Sequence, residues 1–336
     1  MDRGGLATSA SLPSPDAMPA GRSSALEGHQ GPLRRRESRA DKNMGLQLWA
    51  AWSYWSNQIR VLQAGASEHA RNGTPCGGSM KFVRFEHHGA VAYGILGAGE
   101  VTELSGSIFG SFHETERRHL LSEVRLLAPA TPTKIVCIGQ NYLEHVAEIG
   151  STPPDEPLFF LKPPTSLIGP GDEIVYPHIA TRVDFEGELA IVIRRDMKNV
   201  PKASVGDYVL GYSCFNDITE RDLVNVKPLN LTLGKSFDTF AAFGPCIETD
   251  VDPDNLQLRT LLNGKVMQED STRDCVFDVA TILSFLSERM TLCAGDIVAT
   301  GTPKGIAPMK VGDVVEVEIE KIGRLTNVVG SEASGR

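Results

Sequence analysis

Residues 182–193, RVDFEGELAIVI, combine alternating acids with an apolar run, and this combination constrains the fold more than any other stretch. In a β-strand, side chains at every second position point to the same face. Asp184, Glu186 and Glu188 would therefore project together and repel one another. The residues that follow, LAIVI, are apolar on both faces, which is typical of a strand that is covered on both sides. Either cations compensate the acids, or the acids lie at a solvated strand end.

A second apolar strand also ends in an acid. The stretch VGDYVLGYSCFNDITERD places Asp217 at the end of a buried strand and Thr219 at the start of a helix, with Asp222 in a capping-box position. If Asp217 neighbours Glu186 and Glu188, three carboxylates face one point, and a hard divalent cation would neutralise much of their charge. The same spacing is equally typical of a solvated strand face followed by a turn aspartate.

The segment IGQNYLEHVAEIG, residues 138–150, predicts a short helix with a His–Glu pair on one face. Asn141 is placed to cap this helix, and Gly150 ends it. His145 and Glu148 lie three residues apart, so the carboxylate can orient the imidazole as a general base. Exposed His–Glu pairs without any function show the same spacing.

Basic and hydroxyl groups complete the candidate site. Lys162 in LFFLKPPTSL and Lys235 in TLGKSFDTF interrupt weakly polar stretches, and a buried lysine usually has an anionic partner. In GDIVATGTPKG a buried strand leads into a tight loop at Thr302, whose donors are suited to a carboxylate. Each feature is commonly structural when it occurs alone. Together with the acids and the base, they predict a pocket for a small acid with several oxygen atoms.

The composition argues against several classes of protein. The net charge is −9 and the C-terminal 250 residues have no basic block, so nucleic acid and anionic membranes are not expected partners. The six cysteines are scattered without a C-x-x-C pair, which argues against a zinc site and fits a reducing compartment, the cytoplasm. No apolar run approaches the ~20 residues that cross a bilayer. Dinucleotide and P-loop motifs are also absent from the sequence.

We expect three regions along the chain. Residues 1–79 are rich in Gly, Ser, Pro and Ala and predict a disordered extension, although a basic cluster and three tryptophans also suit a targeting or partner-binding segment. Residues 80–128 open with two strands around a polar turn and predict a small N-terminal domain containing β-structure. Residues 129–336 hold many short strands and a hairpin signal at Asn263-Gly264. Helices are predicted near 141–149, 219–226 and 278–289. The predicted fold class is therefore β-rich α+β.

The order of the motifs resembles that of the fumarylacetoacetate hydrolase (FAH) superfamily. The resemblance extends over about residues 134–329, and residues 80–128 resemble the small N-terminal domain of many bacterial members. The matching stretches are GQNYLEHVAE, PLFFLKPPTSL, VDFEGELAIVI, GYSCFNDITERD, GKSFDTFAAFGP, NGKVMQ, AGDIVATGTPKG and VGDVVEVEIEKIGRLTN. The resemblance implies a mixed β-roll catalytic domain that is usually dimeric.

The resemblance also implies a role for each candidate residue. His145 would be the base, oriented by Glu148 in a lid helix, and Lys235 would stabilise an enolate or a carboxylate. The implied ligands of Mg²⁺ or Mn²⁺, with Ca²⁺ as an alternative, are Glu186, Glu188 and Asp217. The expected substrate contacts are Asn141, Tyr142, Lys162 and Thr302.

The resemblance implies an enzyme that acts on a 2-oxo or β-dicarbonyl acid through an enolate. Candidate reactions are C–C bond hydrolysis of an acylpyruvate, isomerisation of a 2-hydroxy-diene-dioate from aromatic catabolism, and decarboxylation or tautomerisation of oxaloacetate. Several hydrolytic members have a glutamine where this chain has Val224, which favours the reactions that need no positioned water. The expected partners are a small oxo acid and a second copy of the chain, as a homodimer. A non-catalytic binding protein with a structural cation is the competing hypothesis.

Overall fold

The computed structural model describes residues 78–225 and 230–332, so the predicted extension 1–79 lies outside these ranges except for its last two residues. The described residues form nineteen strands and four helices. The strands are β1 (Lys81–His87), β2 (Ala90–Leu96), β3 (Glu100–Gly106), β4 (Phe112–Leu120), β5 (Arg125–Leu127), β6 (Ile135–Gly139), β7 (Leu158–Lys162), β8 (Leu167–Ile168), β9 (Glu173–Tyr176), β10 (Val183–Asp184), β11 (Gly187–Ile193), β12 (Val209–Asp217), β13 (Thr219–Glu220), β14 (Ala241–Glu248), β15 (Gln257–Leu262), β16 (Lys265–Ser271), β17 (Ile297–Ala299), β18 (Val314–Ile319) and β19 (Gly323–Ser331). The helices are α1 (Leu143–Glu148), α2 (Arg221–Val224), α3 (Leu231–Lys235) and α4 (Val279–Arg289). None of these four helices has the length and apolar character that a membrane span requires.

The largest sheet joins the N-terminal strands to the central strands of the chain. Its main path is β4-β3-β2-β1-β14-β12-β11-β17-β6-β7, with β5 paired to β1 and β8 paired to β14. β1 runs antiparallel to β14, with Phe82 opposite Ile247, so the N-terminal strands continue the sheet of the C-terminal region. β11 and β14 are buried along their whole length, as their apolar runs predict.

Both faces of β11 are covered, which explains its continuous apolar run. On one face, Leu189 belongs to a core cluster shared with a second sheet, whose order is β16-β15-β18-β19-β9. Ile191 and Ile193 point to the same face and pack in a cluster with α4. Ala190 and Val192 point the other way, into a third cluster. The structure is therefore a strand-rich α+β fold, as predicted.

Two predicted turns are confirmed. Asn263 and Gly264 have φ values of 53° and 77° and connect β15 to β16, as a type I′ hairpin requires. His88 and Gly89 have φ values of 51° and 80° between β1 and β2. Both hairpins therefore close through two residues in the left-handed region.

The predicted helices are present, but two predicted caps are wrong. Asn141 does not cap α1, because its side-chain oxygen accepts a hydrogen bond from Phe277 N at 2.8 Å. Thr219 does not start a helix, because it belongs to β13. Glu220 caps α2 instead, by accepting a hydrogen bond from Leu223 N at 2.5 Å. In both cases, tertiary pairing overrides the local capping preference.

Two antiparallel pairings bring the candidate acids side by side. β11 pairs with β12 so that Gly187 lies opposite Asn216, and Asp217 N donates to the Glu186 carbonyl at 2.8 Å. β10 pairs with β13, with Asp184 opposite Thr219. The stretch 182–193, predicted as one strand, is thus interrupted between β10 and β11.

Candidate metal centre and active site

Glu186, Glu188 and Asp217 lie together, which is one of the two arrangements that their positions in the sequence allow. One carboxylate oxygen from each lies within 4.8 Å of the others, and all three side chains are buried. The two glutamates flank Gly187 at the start of β11, and Asp217 ends the neighbouring strand β12. We call these three acids the carboxylate triad. Oxygen ligands gathered at this spacing are suited to share one cation.

Two acids of the triad, Glu186 and Asp217, are embedded in a continuous salt-bridge chain, in which positive and negative side chains alternate. Lys235 bridges the two acids, with its Nζ 2.6 Å from Asp217 Oδ2 and 2.7 Å from Glu186 Oε2. Because each acid in the chain has a cation on either side, the repulsion expected from the sequence is compensated. The order of the salt-bridge chain is Lys162, Asp217, Lys235, Glu186, Arg221, Asp184 and Arg182.

The two ends of the salt-bridge chain differ in exposure. At one end, Lys162 Nζ lies 2.5 Å from Asp217 Oδ1 and its side chain is completely buried. At the other end, the Nε atoms of Arg221 and Arg182 bind opposite oxygens of Asp184, at 3.0 and 2.9 Å. The exposed fraction of the side chain rises from 0% for Lys162 to 15% for Arg221 and 43% for Arg182. The salt-bridge chain therefore reaches solvent at Arg182.

Glu188 stands outside the salt-bridge chain. It accepts a hydrogen bond from Gly301 N at 2.8 Å, and within residues 78–225 and 230–332 no lysine or arginine forms a salt bridge with it. Burial raises the pKa of Glu188 well above its usual value, and the charges of Asp217 and Glu186 raise it further. Burial also acts on Glu186, but Lys235 and other nearby cations outweigh it and hold the pKa of Glu186 below its usual value. The triad therefore contains one acid that no protein cation directly compensates.

The donor set of the triad fits a divalent cation such as Mg²⁺ or Mn²⁺. Three carboxylates supply only oxygen ligands, which hard cations prefer. A carboxylate oxygen has two lone pairs, so an oxygen that accepts a hydrogen bond from Lys235 keeps a second lone pair for a metal. A bound cation would also offset the repulsion that raises the pKa of Glu188. Glu186, Glu188 and Asp217 are therefore the residues that would hold such an ion.

His145 and Glu148 form the pair that their spacing on α1 predicts. His145 Nδ1 lies 3.0 Å from Glu148 Oε2, and Glu148 Oε1 accepts a hydrogen bond from Gly305 N at 2.9 Å. Because Nδ1 faces the carboxylate, Nε2 is the nitrogen that is left to exchange a proton with a ligand. A positive charge on His145 lowers the pKa of Glu186, so the imidazole and the triad belong to one electrostatic site.

A cleft of about 610 Å³ connects these groups, a volume within the usual range for small-molecule sites. The ring of Phe160 forms part of its wall, with its centroid 4.9 Å from Lys235 Nζ. The charged and hydroxyl-bearing walls include His145, Glu148, Arg182, Glu186, Glu188, Asp217, Arg221, Lys235 and Thr302. The apolar walls include Ile138, Ile149, Leu158, Phe160, Val224, Leu231 and Ile306.

Three of the expected substrate contacts do not line this cleft. Asn141 is buried, and its amide nitrogen donates to the Thr300 carbonyl at 2.7 Å. Tyr142, the next residue, is also buried. Lys162 is enclosed behind Asp217 at the buried end of the salt-bridge chain. Asn141, Tyr142 and Lys162 are therefore buried in the protein and are not part of the cleft lining.

Thr302 lines the cleft, but its hydroxyl is engaged with the protein. The hydroxyl donates to the Gly187 carbonyl at 2.9 Å and accepts from Gln268 Nε2 at 2.8 Å. Gln268 Oε1 in turn accepts from Gly187 N at 3.0 Å. Thr302 and Gln268 thus fix both backbone polar groups of Gly187, the residue between the two glutamates of the triad.

The sequence did not single out Arg182, Arg221 and Gln268 as site residues. The sequence could have indicated the two arginines, because they flank acid-rich strand ends whose charges require cations. Gln268 has no such signal, because it reaches Gly187 only where the β15–β16 hairpin packs against β11.

Cys137, on β6, is not equipped to act as a nucleophile. Burial raises the pKa of its thiol well above the usual value, and the nearby charges of Asp217 and Glu188 add to this effect. A thiol of raised pKa supplies little thiolate at neutral pH. Cys137 is therefore an inert buried thiol.

Comparison with known proteins identifies the family. Residues 134–330 match the family described as "Fumarylacetoacetate (FAA) hydrolase C-terminal", and residues 80–129 match the family described as "Rv2993c-like, N-terminal". The first match alone covers more than half of the chain. The chain belongs to the fumarylacetoacetate hydrolase family. The resemblance that the sequence motifs suggest is therefore confirmed.

Relatives of this FAH-family chain include proteins from mycobacteria and bacilli. Protein Rv2993c of Mycobacterium tuberculosis is 46% identical over 230 residues, which are 68% of this chain and 86% of that protein. Oxaloacetate tautomerase YisK of Bacillus subtilis is 39% identical over 226 residues, which are 62% of this chain and 74% of that protein.

Solved structures of family members share the fold. A 2-hydroxyhepta-2,4-diene-1,7-dioate isomerase from Mycobacterium marinum is 41% identical, with a TM-score of 0.70 over 76% of this chain and 100% of that chain. A maleylpyruvate hydrolase from Sphingobium sp. SYK-6, in complex with manganese(II) ion and pyruvate, is 28% identical, with a TM-score of 0.63 over 75% of this chain and 99% of that chain. The family therefore includes both isomerases and hydrolases, and at least one member binds a divalent metal.

Proposed function

We propose that this protein is a divalent-metal-dependent enzyme that moves a proton on a 2-oxo acid through an enolate. The observation that carries the proposal is that one cleft is lined both by the carboxylate triad and by His145 with its partner Glu148. A purely structural cation site needs no oriented base beside it. The arrangement therefore supports an enzyme over a non-catalytic binding protein.

The triad and Lys235 supply the electrostatic part of the site. Glu186, Glu188 and Asp217 would hold Mg²⁺ or Mn²⁺, which when bound supplies Lewis-acid stabilisation of negative charge on the oxygens of the oxo acid. Burial lowers the pKa of Lys235, but Asp217 and Glu186 outweigh this effect and keep its pKa above the usual value. Lys235 is therefore a permanent cation in the wall of the cleft, where it favours an anionic enolate.

His145 supplies the proton transfer. Its Nε2 takes a proton from the carbon next to the 2-oxo group, since Nδ1 is held by Glu148. Glu148 is itself fixed by Gly305 N, and its charge stabilises the imidazolium that results. Return of the proton to an oxygen or to another carbon completes a tautomerisation or an isomerisation.

We favour tautomerisation or isomerisation over C–C bond hydrolysis. The similar proteins include an oxaloacetate tautomerase and a diene-dioate isomerase. Val224 lines the cleft where hydrolytic relatives are expected to have a glutamine, and its apolar side chain cannot position a water molecule. Hydrolysis of an acylpyruvate is the second candidate, favoured by the likeness to the maleylpyruvate hydrolase that holds manganese and pyruvate. The homodimer and the cytoplasmic location stay predictions.

A panel of oxo acids tests the proposal. The protein is assayed with oxaloacetate (keto–enol exchange), a 2-hydroxyheptadienedioate and a set of acylpyruvates, each with Mg²⁺ or Mn²⁺ and then with a chelator. We expect turnover of at least one acid, its loss in chelator and its return when metal is restored. Absence of turnover for every acid in both metals contradicts the proposal.

His145→Ala tests the role of the base separately from metal binding. We expect the variant to lower kcat by about 10²–10⁴, because a general base is lost, while calorimetric titration shows that Mn²⁺ affinity is retained. His178→Ala is a matched control, because His178 Nδ1 lies 2.5 Å from Glu332 Oε2 in an exposed His–Glu pair away from the cleft. Equal turnover in His145→Ala and in the wild type would remove the base from the proposed mechanism.

A further inference from the structure

Arg182 has donor groups that the salt-bridge chain does not use. Its Nε binds Asp184 Oδ1 at 2.9 Å, and its two terminal nitrogens have no hydrogen-bond partner in the described part of the chain. The side chain is nearly half exposed and lines the same cleft as the triad and His145. The planar fork of a guanidinium matches the two oxygens of a carboxylate. An arginine in this situation is suited to bind an anionic group that enters the cleft.

Asp184 anchors Arg182 in a defined position. The carboxylate of Asp184 is completely buried, and its second oxygen binds Arg221 Nε at 3.0 Å. Arg221 is in turn paired with Glu186 of the triad. Arg182 is therefore tied to the metal centre through two intervening side chains, and an anion that it binds pays less entropy for ordering the side chain.

Arg182 is the end of the salt-bridge chain that a ligand can reach. Lys162, at the other end, is completely buried, whereas Arg182 lines the cleft. A 2-oxo acid whose oxo end lies at the triad would leave the terminal nitrogens of Arg182 for a second carboxylate.

We infer that Arg182 is a specificity-determining residue that binds a second, distal carboxylate of the substrate, so that the cleft selects 2-oxo dicarboxylic acids over monoacids. The inference rests on the proposed function, since it names the class of oxo acid for the same site. Asp184 and Arg221 stand between Arg182 and the triad in the salt-bridge chain. The distal carboxylate is therefore bound at a place apart from the triad.

Binding of matched acids tests this inference without depending on turnover. Dissociation constants are measured by calorimetry in Mn²⁺ for three pairs of equal length: oxaloacetate and 2-oxobutanoate, 2-oxoglutarate and 2-oxopentanoate, and 2-oxoadipate and 2-oxohexanoate. At one length or more, we expect the wild type to bind the diacid about tenfold more tightly, the size of a charge-assisted contact that solvent partly screens. The chain length with the largest ratio of monoacid to diacid dissociation constants indicates how far apart the two carboxylate-binding positions lie.

Variants of Arg182 decide whether this residue is responsible. Arg182→Met should reduce the ratio of monoacid to diacid dissociation constants to about one, and Arg182→Lys should retain part of it, because the charge remains without the fork. Arg259→Met is the matched control, since Arg259 is also about half exposed and pairs with a single acid, Glu269, away from the cleft. Its ratio should equal that of the wild type. Thermal unfolding of each variant checks the fold, and Arg182→Lys carries the test if Arg182→Met does not fold.

The outcomes separate the inference from the proposed function. An undiminished ratio in the Arg182 variants, or a wild type with no preference at any length, overturns the inference while leaving metal-dependent oxo-acid chemistry intact. Absence of binding by all six acids together with absence of turnover overturns the proposed function, and the inference with it. A reduced ratio confined to the Arg182 variants supports the inference whichever reaction the enzyme catalyses.

Discussion

Asp296 and Glu188 are buried carboxylates at opposite ends of the β11–β17 pair, and their oxygens are satisfied in different ways. Asp296 accepts three backbone hydrogen bonds of 2.7–3.1 Å and is paired with Lys134 Nζ. Glu188 accepts one backbone hydrogen bond, from Gly301, and has two like charges beside it. The backbone donors to Asp296 are the N–H groups of Thr133, Lys134 and Cys293.

The contrast shows that burial alone does not distinguish a structural acid from a ligand-binding one. The donors around Asp296 fasten the segment before β6 to the segment before β17, and they satisfy its negative charge locally. The triad relies on side-chain cations, which leave lone pairs and one uncompensated acid. A buried carboxylate that has few backbone donors and lies beside other acids is the better candidate for binding a metal.

Removal of one lysine from each region gives the largest expected difference. In metal-free protein, Lys235→Met should lower the free energy of unfolding by about 3–5 kcal/mol, because Lys235 bridges two buried acids. Lys134→Met should cost only about 1 kcal/mol, because the backbone donors to Asp296 remain. Denaturant unfolding of both variants in chelator measures the two losses.

Addition of Mn²⁺ provides a second test of the difference between the two lysine variants. Mn²⁺ should return part of the stability lost in Lys235→Met, because a cation can replace the missing positive charge between Glu186 and Asp217. The same ion should not affect the loss in Lys134→Met beyond its effect on the wild type. Similar losses for the two lysine variants, with no differential response to Mn²⁺, would show that the two acid sites do not differ in the proposed way.

Glu188→Gln should lower the affinity for the metal and stabilise the metal-free protein. We expect Mn²⁺ affinity to fall by about 100-fold, about 2.7 kcal/mol, because one of three carboxylate ligands is lost. In chelator at neutral pH, the free energy of unfolding should rise, because the neutral amide removes the buried negative charge that raises the pKa of Glu188. Calorimetric titration and denaturant unfolding measure the two effects.

The pH dependence of the metal-free protein identifies the same acid. The pKa of Glu188 is raised in the folded state, so the folded protein holds more protons than the unfolded chain above the usual carboxyl pKa. Its contribution to stability therefore declines as pH rises from about 4.3 toward the raised value. Glu188→Gln should remove this decline. An identical pH profile in variant and wild type would contradict the assignment of the uncompensated charge to Glu188.

Local pattern predicted the parts of the triad but left open whether they meet. Glu186 and Glu188 share a strand face because they are two residues apart, and Asp217 follows an apolar run typical of a buried strand, but the pairing of β11 with β12 is what brings Asp217 to them. His145 and Glu148 meet through local spacing alone, since helical residues three apart are neighbours. The relation within each of these two pairs depends on a period of secondary structure that the sequence itself displays.

Local sequence patterns did not predict the contacts that depend on how distant segments pair. Asp184 shares the face of the two glutamates in an ideal strand, yet it turns to the arginines because β10 pairs with β13 and not with β12. Asn141 has the residue type of a helix cap, but a distant segment at Phe277 offers it better partners. Nothing in the neighbouring residues reveals such competition, because it arises only when segments far apart in sequence meet.

Gly187→Ala should disturb the triad by a smaller amount, through the backbone. A Cβ at this position would lie 2.0 Å from Thr260 Oγ1, so the strand that carries Glu186 and Glu188 must shift. We expect a loss of about 1–3 kcal/mol in the free energy of unfolding and a weaker affinity for Mn²⁺. Gly206→Ala is the matched control, because a Cβ there meets nothing within 4 Å.

A second substitution tests whether the close approach to Thr260 causes the losses expected in Gly187→Ala. Thr260 Oγ1 is buried without a hydrogen-bond partner in the described residues, so Thr260→Ala removes the clashing atom without breaking a known contact. The double variant Gly187→Ala/Thr260→Ala should therefore recover most of the stability and metal affinity lost in Gly187→Ala. If the double variant stays as impaired as the single one, the close approach at Thr260 is not what fixes the glutamates. The hydrogen bonds of the Gly187 backbone with Gln268 and Thr302 would then be the stronger constraint on the geometry of the triad.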